Sequence, residues 1–466
     1  MIPMVDSFSA ASTRKLEGII SKRMASLHVP GLSIALLKGD EVVYKGGFGA
    51  RNIEANLPAT PDTLFGIGSC TKSFTTIAIM QLVAQGRIDL HDPVNKYLPY
   101  EPGYEDEPIT VHHLLSMSSG MPADGMAGIL IQRMTGVEGS WIPLSDIDDL
   151  LLFINKSKGE LAARPGKRYF YYNSGFAVLG EIVERVGGVP YEDYIAENIL
   201  KPLGMARSTI KREAFDADPD RMTAYRKEKD GSTTATVHPF HRMIYAAGGI
   251  LSPVTELTSY LKMNLNGGVH DGRRIVDEDL LMEMHTGHIE RGEGAFGKGY
   301  YCYGWFCVDD FLGHKMVNHG GSTGVSSANL SFIPDLDIAV ATASNTGGFG
   351  SLIPQAALAL LMGRDPEEAI SYYAEELDLD RLTGYYEAYE GGSKQTVARK
   401  GAMLYLESSS RFAETSIPLI PESREAGNRR FHYLVAGGRI PVEFEEAPDG
   451  GMDLYIERWR LHRKGK

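Results

Sequence analysis

The stretch Leu64-Phe-Gly-Ile-Gly-Ser-Cys-Thr-Lys-Ser-Phe-Thr-Thr-Ile-Ala-Ile-Met-Gln-Leu-Val-Ala-Gln-Gly86 decides how this chain is read. It begins as a Gly-rich strand end. At Ser69 the period changes to that of a helix over residues 69–85, apolar on nearly every side through Phe74, Ile77, Ala78, Ile79, Leu82 and Val83. A helix without a polar face is a buried helix, and Gly86 is a natural stop. Ser69-Cys-Thr-Lys72 therefore opens a buried helix. Residues three apart on a helix are neighbours, with Cβ atoms about 5–6 Å apart. A lysine so placed can take the serine proton when neutral, and burial is what lowers a lysine pKa. The helix start also leaves backbone N–H groups free for an oxyanion. The S-x-x-K spacing is not specific by itself, because Ser12-Thr-Arg-Lys15 and Ser259-Tyr-Leu-Lys262 repeat it. Ser12 falls on an exposed amphipathic helix, and no strand leads into Ser259. Ser69 is the candidate nucleophile and Lys72 its partner.

Outward from this helix, strands stand at both ends of the first 365 residues. Residues 12–28 read as an amphipathic helix with Leu16, Ile19, Ile20, Met24 and Leu27 at helical spacing. Gly31-Leu-Ser-Ile-Ala-Leu-Leu-Lys38, the turn Gly39-Asp40 and Val42-Val-Tyr44 read as a hairpin. Strand signals return at Tyr301–Val308, Lys315–Asn318, Ser327–Ile333 and Ile338–Ala343, and an apolar helix follows at 352–362. Between them, residues from about 87 to 245 read as helices and long loops. The economical fold is α/β: one antiparallel sheet built from both ends, flanked by the terminal helices, with an all-helical insertion beside it. A cleft where the two parts meet is a usual ligand site. Residues 366–378 are polar and acidic and read as a linker. Residues 379–466 alternate short β-like runs with Gly, Pro and Asp turns, which predicts a small antiparallel β-barrel.

Two further elements carry chemistry. Tyr171-Tyr172-Asn173 is the only Y-x-N among 23 tyrosines. A phenol oxygen can relay a proton, and an amide can hold a substrate carbonyl. The bland reading is a packed aromatic cluster with Tyr169 and Phe170. His319-Gly320-Gly321-Ser322 ends a strand. Its glycines let a substrate backbone approach, the Ser322 N–H can serve as an oxyanion donor, and His319 can orient a carboxylate or relay protons. The bland reading is a histidine in a Gly-rich turn. His285-Thr-Gly287 imitates the pattern but sits in a Met-rich helical stretch.

Composition excludes other classes. The 466 residues exceed one core, so at least two domains are expected. Hydrophobic content of 43% and charged content of 23% suit a soluble globular chain. The net charge of −13 disfavours nucleic acid as a partner. Cys70, Cys302 and Cys307 supply neither a disulfide framework nor zinc spacing. The 13 histidines show no H-E-x-x-H, and the pairs His285/His288 and His238/His241 lack partners, so no metal or other cofactor is expected. No stretch of 18 apolar residues occurs and the first residues do not read as a secretion signal, so no membrane contact and a cytoplasmic location are expected.

The three elements, in this order, resemble those of the penicillin-recognising serine hydrolases: class C β-lactamases, D-alanyl-D-alanine carboxypeptidases, D-aminopeptidases and related esterases. The likeness extends to Gly86-Arg-Ile-Asp-Leu-His-Asp-Pro-Val-Asn-Lys-Tyr-Leu-Pro99, Ile109-Thr-Val-His-His-Leu-Leu115 with Ser119-Gly120, Pro165-Gly166, Leu200-Lys-Pro-Leu-Gly-Met205, Ala246-Ala-Gly-Gly-Ile250 and Tyr303-Gly-Trp305, over roughly residues 15–362. It implies a β-lactamase/transpeptidase-like sheet domain over residues 1–365. It implies Ser69 as the acylated nucleophile and Lys72 with Tyr171 as the proton-handling pair. Asn173 and His319, Gly320 and Gly321 would hold substrate, and the N–H groups of Ser69 and Ser322 would form the oxyanion hole. A lysine is usual in β-lactamases where His319 stands, so the resemblance implies a peptidase acting on short peptides, including ones with D-residues. A small-ester hydrolase or a β-lactamase using the same residues is the alternative, and a non-catalytic penicillin-binding-like sensor is the alternative of another class. Met117 also departs from the family, which often has histidine there. Residues 379–466 resemble the lipocalin-like barrels of archaeal CubicO-type relatives, which implies a homo-oligomer, an octameric cage.

Overall fold

The computed structural model describes residues 8–137, 144–409, 413–423 and 427–465. The chain divides into two compact units, Met1–Gly363 and Arg364–Lys466.

The first unit is built on a nine-stranded antiparallel sheet. Its order is Ile289–Gly294, Gly297–Tyr301, Phe306–Phe311, His314–Ser322, Ser327–Ile333, Ile338–Ser344, Gly31–Lys38, Glu41–Asn52 and Leu57–Pro58. The two ends of the unit meet where Gly31–Lys38 pairs with Ile338–Ser344, in the register Leu32↔Ser344 to Lys38↔Ile338. Along a strand, successive side chains face opposite ways. Ile34 and Leu36 accordingly enter a core with Leu16, Ile20, Ile353 and Ala357 from the helices Ala10–Ser26 and Leu352–Leu361. Ala35 and Leu37 join the larger core of Phe74, Ile77 and their neighbours on the other face. Both faces are covered, which is why the central strands read as continuous apolar runs rather than alternating ones.

The helix Thr71–Ala84 has no wet face to speak of: eleven of its residues, from Thr71 to Leu82, are buried. It packs against the helices Asn173–Gly187 and Arg242–Gly248. Among the described residues, the insertion departs from the all-helical expectation in one hairpin. Ala224–Lys227 and Thr233–Thr236 pair as a small hairpin. The physical signal was present in Asp230-Gly231, a turn dipeptide between threonine- and tyrosine-bearing runs.

The second unit closes eight antiparallel strands, from Gly384–Ala388 to Trp459–Gly465, into a barrel whose first and last strands pair. Tyr386, Val397, Leu404, Leu419, Phe431, Val442, Phe444 and Leu454 fill it. The stretch read as a linker is helical instead, as Pro366–Ala369 and Ser371–Leu382. Glu367, Glu368 and Glu375 are exposed, Asp380 pairs with Arg399 at 2.6 Å, and Leu379 and Leu382 reach the barrel core. No helix among the described residues is long and apolar enough to cross a membrane.

One contact sets the position of the site. A Cβ placed on Gly321 would lie 1.9 Å from the carbonyl oxygen of Ile67 and 2.7 Å from the Ser69 nitrogen. A Cβ on Gly68, whose φ is +52°, would lie 2.5 Å from the Ser322 nitrogen. The strand end and the turn before the buried helix touch backbone to backbone, and a Cβ on either glycine would push them apart. Gly321→Ala is expected to cost about 1–3 kcal/mol in stability and to slow labelling of Ser69 by a fluorophosphonate at least about tenfold, since a misplacement near 1 Å is enough for that. Thermal melts and labelling rates check this; a variant like wild type in both would contradict the contact.

Candidate active site

Ser69 lies in a single 3₁₀ turn, Gly68–Cys70, that leads directly into Thr71–Ala84. The turn is tied down from several sides. Ile67 N–H donates to Ile250 O at 2.9 Å, Ile250 N–H donates to Thr71 Oγ1 at 3.1 Å, and Cys70 Sγ–H donates to His319 O at 3.1 Å. Cys70 is thus a buried strut whose thiol burial pushes up to about 12, rather than a nucleophile.

Lys72 is 0% exposed. Its Nζ lies 3.1 Å from Ser69 Oγ, 2.8 Å from Asn173 Oδ1 and 2.7 Å from Ala247 O. It also sits over the Tyr171 and Phe176 rings, 4.9 and 5.5 Å from their centroids. Three oxygen acceptors and two ring faces favour the ammonium. Burial without a carboxylate partner disfavours it more strongly, and lowers the lysine from its ordinary 10.5 to about 7. Both protonation states are therefore populated near neutrality.

Tyr171 is partly buried; burial raises its pKa, and the nearby Ser69 hydroxyl offsets part of that rise. Asn173 is the first residue of the helix Asn173–Gly187. The loop that presents Tyr171 is held by Met117, which adopts φ +56°. Its carbonyl accepts from Phe170 N–H at 2.9 Å and its sulfur from Tyr172 N–H at 3.1 Å.

His319 is 1% exposed and stacks on Phe306 at 4.6 Å. Burial, with Lys72 nearby, lowers it to about 3, so it is neutral at ordinary pH. The 2.7 Å contact of Nδ1 with Gly320 O assigns the ring proton to Nδ1. Nε2 then faces the Tyr301 hydroxyl at 3.5 Å as an acceptor. Gly320 and Ser322 are exposed at the strand end, with Gly321 pressed onto the Ser69 turn.

The structure thus brings Ser69, Lys72, Tyr171, Asn173 and the His319–Ser322 strand together. The imitators lie elsewhere. Ser12 bonds Ser9 at the cap of the first helix. Ser259 is in the middle of Val254–Leu265. His285 is a core residue, bonded to Asn264 Oδ1 at 3.0 Å and lowered by burial to about 3. Cys302 and Cys307 are buried and unpaired as a disulfide, and among the described residues no group of three or more acidic, Cys or His side chains could hold a metal.

Sequence reading missed one residue at the rim. Arg291 lies with its guanidinium 4.0 Å from the centroid of Phe306 and 5.3 Å from that of Tyr169. It sits on the edge strand Ile289–Gly294, where no spacing rule pointed to it.

A serine at the start of a buried helix, a buried lysine on its hydroxyl and a glycine strand pressed against its turn are the features of the S-x-x-K class of serine hydrolases. Residues 16–361 match the family model described as Beta-lactamase, and the chain belongs to that family of penicillin-binding and β-lactamase-fold serine hydrolases. Residues 366–462 match the model described as the Pab87 octamerisation domain. The octameric penicillin-binding protein homologue from Pyrococcus abyssi superposes with a TM-score of 0.88 at 39% identity, covering 97% of this chain and 100% of that one. A penicillin-binding protein from Bacillus halodurans shares the fold at 24% identity, with a TM-score of 0.60 over 73% of this chain and 98% of that one. The protein flp of Staphylococcus aureus (strain MW2) is 27% identical over 338 residues, which are 72% of this chain and 63% of that protein. The chain thus spans a little under two thirds of the length of that relative.

A lysine 3.1 Å from Ser69 Oγ can accept its proton only when neutral, so labelling of Ser69 by a fluorophosphonate is expected to climb as pH rises through about 7 and to level off about one unit above it. A labelling rate that is flat across this range would contradict Lys72 as the base.

Proposed function

We propose that this protein is a serine peptidase that acts on short peptides, D-residue peptides included, through a Ser69 acyl-enzyme. The observation that carries the reading is the 3.1 Å contact between Ser69 Oγ and a wholly buried Lys72 whose pKa is held at about 7. Neutral Lys72 takes the Ser69 proton as Oγ attacks the substrate carbonyl. The N–H groups of Ser69 and Ser322 receive the oxyanion. Tyr171 gives its proton to the departing amine and takes the one that Lys72 received from Ser69, so it relays that proton and stays a neutral phenol. Water then attacks the ester by the same route in reverse. Asn173 holds Lys72 in place and, with the strand His319–Ser322, lines the bound acyl group. Neutral His319 brings no fixed positive charge, unlike a lysine, which favours peptides over β-lactams. Esters would be cleaved by the same steps. An intact Ser-Lys-Tyr set speaks against a purely sensing role.

Ser69→Ala is expected to abolish both fluorophosphonate labelling and peptide turnover, and Lys72→Ala to lower turnover on the order of 10³-fold or more, because the members of such a unit do not act additively. Intact mass and rates on matched D- and L-peptides check this. Turnover by Ser69→Ala would refute the mechanism.

The barrel unit is proposed to assemble the protein into a homo-octamer, supported by the octamerisation-domain match and the octameric relative. Light scattering should then give eight times the 51.1 kDa chain mass; a monomer at micromolar concentration would refute it.

A further inference from the structure

Tyr171 and Asn173 both reach Lys72. Tyr172, between them, serves another space: it lines a cavity of about 400 Å³ in the insertion. Sites for small molecules are of this size. The helix Ile147–Lys156 brings Phe153 and Ile154 to the cavity, and the loop after Gly120 brings Met121 and Asp124. Glu160 lines it as well and is exposed. Among the described residues that line it, none is basic.

Three oxygens of this region are buried and lack hydrogen-bond partners among the described residues: Asp124 Oδ2, Tyr100 Oη and Tyr172 Oη. Tyr172 is 2% exposed and Tyr100 4%. The other oxygen of Asp124 accepts from Met126 N–H at 3.0 Å. Burial raises both phenols above their ordinary range, and the charge of Asp124 adds to the rise in each. Both therefore keep their protons, and the three oxygens share one neighbourhood. Buried polar atoms of folded proteins are nearly always bonded, so three together mark a place for an occupant.

The chemistry of the lining selects that occupant. A primary ammonium carries three N–H donors. One free carboxylate oxygen and two phenol oxygens accept that number, and the bond to the carboxylate is charge-assisted. The ring faces of Tyr172 and Phe153 attract a cation. An anion would meet the carboxylates of Asp124 and Glu160 with no cation to receive it. Met121, Phe153 and Ile154 suit an apolar body on the same ligand.

We propose that this cavity binds a small primary amine with an apolar body, its ammonium group on Asp124, Tyr100 and Tyr172 and its body against Phe153 and Ile154. The proposal goes beyond the peptidase reading and does not rest on it, since none of these residues handles the Ser69 proton.

The test is calorimetric titration of the full-length protein near neutral pH with 2-phenylethylamine, 2-phenylethanol and 3-phenylpropanoate. These share a ring and a short tail and differ in charge. The amine is expected to bind at least about tenfold more tightly than the alcohol, and the carboxylate not to bind. Asp124→Asn keeps an oxygen for Met126 N–H and is expected to weaken the amine at least about tenfold. Tyr172→Phe removes one acceptor and is expected to weaken it severalfold. Melting temperatures establish that the variants fold; if either does not, the comparison of the three compounds on wild type decides. Wild type that takes up none of them at millimolar concentration, or that does not tell amine from alcohol, would overturn the proposal, the oxygens then being met by water. A folded Asp124→Asn that binds the amine as wild type does would overturn it too, because the amine would then sit elsewhere.

Discussion

An ammonium group enclosed in a protein core, with no carboxylate paired to it among the described residues, is the constraint on which the rest of this structure depends. Taking a charge out of water is costly, and only paired or hydrogen-bonded charges persist there. Lys72 meets a side-chain hydroxyl, a side-chain amide and a backbone carbonyl, which together hold the group in place yet do not restore its ordinary affinity for a proton. Each acceptor comes from a different part of the chain: the helix start, the insertion at Asn173 and the helix Arg242–Gly248. The setting of the lysine is therefore complete only in the folded unit, where these segments come together.

The second requirement is a backbone contact without side chains. Gly68 and Gly321 let the Ser69 turn and the strand His314–Ser322 lie against each other, with the Ser69 and Ser322 backbone nitrogens at that contact. Cys70 reinforces the contact through the carbonyl of His319. His319 itself contributes shape and a fixed acceptor instead of charge, because burial keeps it neutral. An exposed positive charge does stand at the rim, on Arg291, where the edge strand Ile289–Gly294 breaks register between Glu290 and Gly292 and the guanidinium lies over Phe306.

Much of this was legible in the residues because it is local. The buried helix after Gly68 follows from its unbroken apolar surface, the meeting of early and late strands from their apolar runs, and the barrel strands from regular turn residues. The Y-x-N and H-G-G elements could be found because glycine and paired polar residues mark close approaches. The hairpin at 224–236 and the helix at Ser371–Leu382 escaped, since in each case a polar composition masked a regular backbone whose few apolar residues, such as Leu379 and Leu382, find partners only in the folded unit.

Sequence by itself determined the family of folds, the serine–lysine pair and the order of the elements around it, because helical spacing and burial are properties of short segments. Tertiary structure alone decided that the Ser69–Lys72 pair meets an amide and a tyrosine ring from the insertion, that Met117 supports the Tyr171 loop, and that Arg291 reaches the site. Those facts depend on contacts between residues far apart in the chain, and on one bulge in an edge strand, for which no periodicity in the residues gives a sign.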